Sequence, residues 1–189
     1  STGEVMGWDR DFPRAFLKAQ MGAGMVLPSS GRAFISIKDA DKTADLAAAA
    51  RDLVQMGFGI IATSGTADFL AANGVESARV NKVYEGRPNI VDRLKNDEIA
   101  MVLNTTEGAQ AIADSREIRA VALYDKIPYF TTAAGSIAAV AAIRQTAAAS
   151  RLAPEAGNKV QENERCCSQS ARNSASSTRG GSMASPRAA

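Results

Sequence analysis

Four short polar runs carry the side chains of this chain that could do chemistry. They are Thr63-Ser64-Gly65-Thr66, Asn81-Lys82, Asn104-Thr105-Thr106 and Thr131-Thr132. Their hydroxyl and amide groups, together with the ammonium groups of Lys42 and Lys82, are donors and point charges of the kind that hold a phosphate. The chain contains no histidine, so the set includes no imidazole acid or base. These residues predict a site that binds a phosphorylated ligand without turning it over.

The polar runs lie at or near the ends of predicted strands. β-branched and apolar residues predict strands at 32–38, 58–63, 78–81, 99–104 and 128–131. Helical patterns lie between them and before them, at 12–22, from a cap at Asp41 to Gly57, and at 65–73, 90–96, 109–124 and 134–149. Strands that alternate with helices predict a parallel five-stranded sheet covered on both faces, a Rossmann-like three-layer α/β domain.

The ends of such strands are where ligands bind in open α/β sheets. Ser64-Gly65-Thr66 follows a strand and begins a helix, where unpaired N–H groups and the helix dipole favour an anion. A simpler interpretation stays open, because Ser and Thr at helix starts are usually caps and lone lysines are usually solvated. Asp92 and Glu85 remain candidates for a carboxylate base, although Asp92 fits a helix start equally well.

Several site types are excluded by what the sequence lacks. It contains neither a GxGxxG dinucleotide motif nor a GxxxxGK[ST] phosphate loop. Without histidine or spaced cysteine pairs, no zinc site is expected. The net charge of +2 is too small to indicate nucleic acid or an acidic membrane surface as a partner. The two cysteines, Cys166 and Cys167, are adjacent and form no disulfide framework, which favours a reducing, cytoplasmic setting.

The last part of the chain differs in character. Residues 151–189 hold six basic and three acidic residues, a net +3, which leaves residues 1–150 at −1. From residue 168 the sequence is rich in Ser, Ala, Gly and Arg and has too few apolar residues to form a core. We predict a disordered tail over 151–189. The chain begins with Ser1 instead of Met, which predicts a processed protein or a piece of a longer one.

As a set, the motifs resemble the C-terminal end of the carbamoyl-phosphate synthase large subunit family. The matching segments are STGEVMG (1–7), Ser36, Asp41-Lys42, ATSGTA (62–67), VNKVYEGRPNIVDRLKN (80–96), NTTEG (104–108), IADSREIRAVAL (112–123) and Tyr129-Phe130-Thr131-Thr132. Residues 1–20 resemble the close of the second ATP-grasp half and its linker. Residues 21–150 resemble the allosteric domain, which has the methylglyoxal-synthase-like fold.

The resemblance implies a nucleotide effector, uridylate (UMP) or inosinate (IMP), bound through its phosphate. The implied phosphate contacts are Ser36, Lys42, Thr63, Thr66, Lys82, Asn104 and Thr106. The family also binds an activating ornithine, for which the matching residues are Tyr129, Thr131 and Thr132. Catalytic residues, ATP and its Mg²⁺ or Mn²⁺ belong to the rest of the parent ligase, so this stretch is expected to be non-catalytic and free of cofactors.

The same resemblance implies larger partners and leaves two alternatives. The family's large subunit pairs with a glutaminase small subunit, oligomerises, and makes carbamoyl phosphate for pyrimidine and arginine synthesis. The sequence departs from the family at Ser64, where some relatives have His, and at Ala133-Ala134-Gly135-Ser136. A methylglyoxal synthase would share the fold, but that enzyme relies on histidines and an Asp base. A stand-alone nucleotide-sensing domain is the other alternative.

The tail assignment leads to a first prediction. Deletion of residues 152–189 is expected to leave the melting temperature and the affinity for nucleotides unchanged, because that segment has no core-forming pattern. Thermal denaturation of the full and shortened chains tests it. A lower melting temperature of the shortened chain would contradict it.

Overall fold

The computed structural model describes residues 4–107 and 109–152. The fold lies in one unit, Ser1–Ala149, and the last helix runs on to Leu152. Beyond the first two residues of the predicted tail, which belong to that helix, the tail and its Cys166-Cys167 pair lie outside the described residues. Within the described part of the chain, no helix combines the length and hydropathy needed to cross a bilayer.

Five short strands form one parallel sheet. They are β1 (Arg32–Ser36), β2 (Gly59–Ala62), β3 (Ala78–Arg79), β4 (Met101–Asn104) and β5 (Tyr129–Phe130). Their order across the sheet is β3-β2-β1-β4-β5, and every neighbouring pair is parallel. The predicted parallel five-stranded sheet is therefore confirmed. The chain moves from β1 outward to β3, then returns to place β4 on the other side of β1.

Six α-helices accompany the sheet. They are α1 (Phe12–Gly22), α2 (Ala44–Gln55), α3 (Ser64–Ala72), α4 (Ile90–Lys95), α5 (Ala109–Tyr124) and α6 (Ala133–Leu152). Two 3-10 turns, Asp39–Asp41 and Val83–Glu85, follow β1 and β3. The predicted boundary between residues 20 and 21 falls within α1, and Phe16 of that helix packs on Phe130 with ring centroids 6.3 Å apart.

Alternation along the strands builds the three layers, because successive side chains point to opposite faces. Phe34 lies in register with Ile61 and Val102, and these three pack with α4 and α5. The next residue, Ile35, packs on the opposite face with Leu53 of α2, Leu70 of α3 and Val140 of α6. Strands buried on both faces account for the continuous apolar runs in the sequence.

The start of α2 differs from the sequence-based expectation. Asp41 does not cap this helix, because Asp39–Asp41 forms a 3-10 turn and the cap is Thr43, whose Oγ1 accepts from the Leu46 N–H at 3.3 Å. The 3-10 turn thus lies between the end of β1 and the first residue of α2. The Asp11 cap of α1 is confirmed, since its carboxylate accepts from the Arg14 N–H at 3.0 Å.

Two neighbouring residues of α2 offer a test of the core. Leu53 is fully buried, so Leu53→Ala should lower the free energy of unfolding by about 2–5 kcal/mol through lost burial and the cavity left behind. Val54→Ala, at a position 45% exposed on the same helix, should change it by only about 0.5 kcal/mol. Urea denaturation measures both. Equal effects of the two substitutions would be incompatible with this packing.

Candidate functional site

A pocket of about 600 Å³ opens at the carboxyl ends of the strands. Its walls come from the segments that follow β1, β2 and β4, from the 3-10 turn at Val83–Glu85 and from α4 and α5. The pocket spans the point where the chain's direction across the sheet reverses, between β1 and β4. Open α/β sheets leave a crevice at that point because the two connecting segments diverge to opposite faces.

All seven residues expected to contact a phosphate line this pocket. They are Ser36, Lys42, Thr63, Thr66, Lys82, Asn104 and Thr106. They come from four segments that span 70 positions of the sequence, and the parallel register brings the segments to one edge. The three residues matched to ornithine, Tyr129, Thr131 and Thr132, are not among the residues that line it.

Three hydroxyl side chains form a connected group in the pocket floor. The Thr66 Oγ1 accepts from the Ile37 N–H at 2.9 Å and lies 3.3 Å from the Thr63 Oγ1. The Thr63 hydroxyl is also 3.3 Å from the Ser36 Oγ, so it has two alternative acceptors. Thr63 and Thr66 are buried. Because both hydroxyls are held by neighbours, their positions are set before any ligand arrives.

The beginning of α3 faces the same pocket. Thr63 precedes this helix, but its side chain makes no cap bond and turns toward Ser36 instead. The first N–H groups of a helix have no acceptor within the helix, and here they belong to Ser64 and Gly65, the latter in the pocket wall. The simple cap interpretation therefore fails for Thr63. It holds for Thr132, whose Oγ1 accepts from the Gly135 N–H at 3.0 Å at the start of α6.

Three lysines line the pocket, of which Lys38 lies 4.0 Å from the Asp41 carboxylate. The Lys42 Nζ donates to the Asp39 Oδ1 at 2.6 Å and to the Gly65 carbonyl oxygen at 2.9 Å. The Lys82 Nζ lies 5.8 Å from the centroid of the Tyr84 ring. The pKa of Asp39 is lowered from its usual value, first by the hydrogen bond from Lys42, then by the charge of Lys42 and by that of Lys82. Asp39 therefore lies within the field of the Lys42 and Lys82 ammonium groups.

Asn104 and Thr105, at the end of β4, form another part of the pocket lining. The Asn104 Nδ2 donates to the Tyr129 hydroxyl at 2.6 Å, and the Arg119 guanidinium lies 5.5 Å from the Tyr129 ring centroid. The Thr105 Oγ1 accepts from the Lys38 N–H at 3.0 Å. Tyr129 thus contacts the pocket indirectly, by holding one of its lining residues in place.

Sequence reasoning missed the apolar residues of the pocket. Phe34, Val83, Ile90 and Ile118 line it together with the hydroxyl groups and the lysines. Val83 and Ile90 belong to the segment around the loop that the Asn81–Asn89 bridge closes. Their nearness in sequence to the predicted contact Lys82 could have indicated that they lie in the pocket. The position of Ile118 in the pocket could not be predicted from the sequence, because it belongs to α5 and has the apolar character of an ordinary core residue.

The candidate bases have structural roles. The Glu85 Oε2 accepts from the Lys82 N–H at 2.8 Å, and the Asp92 Oδ2 accepts from the Asn89 N–H at 3.0 Å. Asp92 and Asn89 form a capping box at the start of α4, which confirms the helix-start interpretation. Asp39, a carboxylate that does line the pocket, is a weak base because its pKa is lowered. Among the residues that the structure describes, no group of three or more His, Cys, Asp or Glu side chains is placed to hold a metal ion.

Comparison with known proteins agrees with this architecture. Residues 45–131 match the family model of the MGS-like domain. The chain is 51% identical over 143 residues to a carbamoyl phosphate synthase large chain of Mesorhizobium japonicum, which covers 76% of this chain and 12% of that protein. It is 54% identical over 144 residues to the carbamoyl phosphate synthase large chain of Pseudomonas putida. That match covers 76% of this chain and 13% of the Pseudomonas protein. The chain thus spans about an eighth of the length of these relatives.

The Thr66 hydroxyl can be tested without a ligand. Thr66→Val removes the acceptor of the buried Ile37 N–H and should lower the free energy of unfolding by about 1–3 kcal/mol. Amide hydrogen exchange at Ile37 should accelerate in Thr66→Val and stay slow in Thr66→Ser, which keeps the hydroxyl. Unchanged exchange in the valine variant would show that Thr66 does not hold this turn.

Proposed function

Because residues 45–131 belong to the MGS-like domain family, we propose that this chain is the regulatory, effector-binding region of a carbamoyl phosphate synthase large chain. The observation that carries the proposal is the pocket at the carboxyl ends of β1, β2 and β4, which is lined by lysines, hydroxyl groups and apolar side chains. The effector is a nucleoside monophosphate. This stretch binds it and performs no chemistry.

The phosphate is proposed to bind the polar groups of the lining. Hydroxyls of Ser36 and Thr63 and the first N–H groups of α3 converge there with the Lys42 and Lys82 ammonium groups. Charge-assisted hydrogen bonds from these groups suit the oxygens of a phosphate dianion. The helix dipole of α3 adds to the attraction for a negative charge.

The nucleoside is proposed to lie against the apolar residues of the lining. Val83 is partly exposed there, and the buried Ile90 and Ile118 complete the wall, as ligand pockets combine apolar walls with a few placed polar groups. Uridylate and inosinate both carry a base and one phosphate of the required kind. Tyr84, exposed beside Lys82, lies at the mouth where the ribose would lie.

The regulated activity is proposed to belong to the rest of the parent protein. That ligase would use ATP with Mg²⁺ or Mn²⁺, bicarbonate and ammonia from a glutaminase subunit, in the cytoplasm, to make carbamoyl phosphate. An effector that binds one conformational state more tightly than another shifts their populations, and this couples the pocket to a distant ATP site. Ornithine is proposed to act near Tyr129, Thr131 and Thr132, outside the pocket.

Isothermal titration of the full chain with uridylate and with inosinate at modest salt tests the proposal. Micromolar binding without turnover in a parallel methylglyoxal assay would support an effector site and identify its ligand. Release of methylglyoxal from dihydroxyacetone phosphate would overturn the proposal in favour of the lyase alternative. Absence of binding by both nucleotides would count against a binding site in this chain alone.

Substitution of one lysine in the pocket and of one outside it tests the proposed phosphate contact. Lys82→Ala should weaken nucleotide binding by about 1.5–3 kcal/mol, because a charge-assisted phosphate contact is lost. The control is Lys95→Ala, which removes the same charge from the exposed end of α4, away from the pocket. Titration calorimetry compares them. A dissociation constant that is equal in the two variants would remove Lys82 from the site.

A further inference from the structure

We infer that Asp39 is a counterion built into the pocket, which occupies Lys42 until a phosphate group displaces it. The inference rests on the proposed function, since it requires that the pocket bind an anion. In this arrangement Asp39 sets the affinity by competing with the ligand, and it makes no favourable contact to the ligand itself.

The first support is the placement of the two charges. Asp39 and Lys42 both line the pocket, at either end of the short turn that follows β1. The Asp39 Oδ1 lies 2.6 Å from the Lys42 Nζ, the separation of a strong charge-assisted hydrogen bond. A carboxylate oxygen thus holds the position on the ammonium group where a phosphate oxygen would bind.

The second support is the unequal burial of the two partners. The Lys42 side chain is 18% exposed, whereas that of Asp39 is 95% exposed. Lys42 has a second bond, from its Nζ to the Gly65 carbonyl oxygen at 2.9 Å, that holds it against the first turn of α3. Asp39 can therefore swing into water at little cost, while the ammonium group stays in the pocket.

The third support is electrostatic. Lys42 and Lys82, two of the three lysines that line the pocket, lower the pKa of Asp39, so the carboxylate is ionised near neutral pH. The other acid of the turn, Asp41, instead lies 4.0 Å from Lys38 and is not part of the pocket wall. An ionised Asp39 cancels part of the field that attracts the ligand, whereas Asp41 neither contacts Lys42 nor lies in the ligand's path.

The test compares Asp39→Asn with Asp41→Asn in the full chain. Both substitutions remove one negative charge from the same turn, but only Asp39→Asn removes the competitor for Lys42. Exposed ion pairs are weak, so Asp39→Asn is expected to tighten uridylate binding roughly two- to fivefold over Asp41→Asn at low salt. The gain should shrink in 0.5 M salt, where exposed charges are screened over roughly 4 Å.

The outcomes separate this inference from the proposed function. Binding by the wild-type chain with equal affinities in the two variants would overturn the inference and leave the effector site intact. Weaker binding by Asp39→Asn would also overturn it, since the carboxylate would then assist the ligand. Absence of binding by the wild-type chain and by both variants would overturn both ideas. Melting curves of each variant confirm that the chain remains folded.

Discussion

The site depends on how β1 ends. After Ser36 the backbone N–H groups of Ile37 and Lys38 donate to side-chain hydroxyls, Thr66 on one side and Thr105 on the other. A parallel strand normally ends by losing its neighbours, which leaves its N–H groups to water or to a turn. Here hydroxyls from the two flanking connections take the place of the neighbouring strands. Three separate loops are thereby held together, and the pocket lies between them.

This arrangement explains why the pocket is polar at its base and yet stable. Thr66 is buried, and its hydroxyl satisfies a backbone group that would otherwise lie unpaired in the interior. No buried side-chain polar atom among the described residues lacks a partner. Lys82 and the first amides of α3 take no part in holding the loops together and remain available to a ligand.

The pocket also shows how charge is balanced in a cationic site. Ammonium groups that line one pocket repel one another, and this repulsion opposes the folded state until an anion binds. Asp39 offsets that repulsion from a position that remains exposed to water. Asn104, through Tyr129, connects the same pocket to the far edge of the sheet and to Arg119 on α5. The pocket residue Asn104 is thus joined through Tyr129 to the edge strand β5 and to α5.

Strand and helix patterns were enough to predict the parallel α/β sheet, and the resemblance to the carbamoyl-phosphate synthase family supplied the seven expected phosphate contacts, all of which line the pocket. Apolar runs with helical segments between them allow few other arrangements, and in a parallel sheet the ends of all strands meet at one edge. Local patterns could not show that β1 stops at Ser36, because the hydroxyls that end it come from Thr66 and Thr105, distant in sequence. The cap of α2 is Thr43 and not Asp41, because Asp39–Asp41 forms a 3-10 turn before the helix begins.

The residues that complete the site could be found only from contacts between distant segments of the chain. Ile118 reads as an ordinary core residue, and packing of α5 against the sheet makes it part of the pocket wall. Asp39 reads as one acid of a charged turn, and the backbone of that turn places it on Lys42 rather than leaving the role to Asp41. Residue type and local spacing define what a side chain can do, but the partner it meets depends on contacts between segments far apart in the chain.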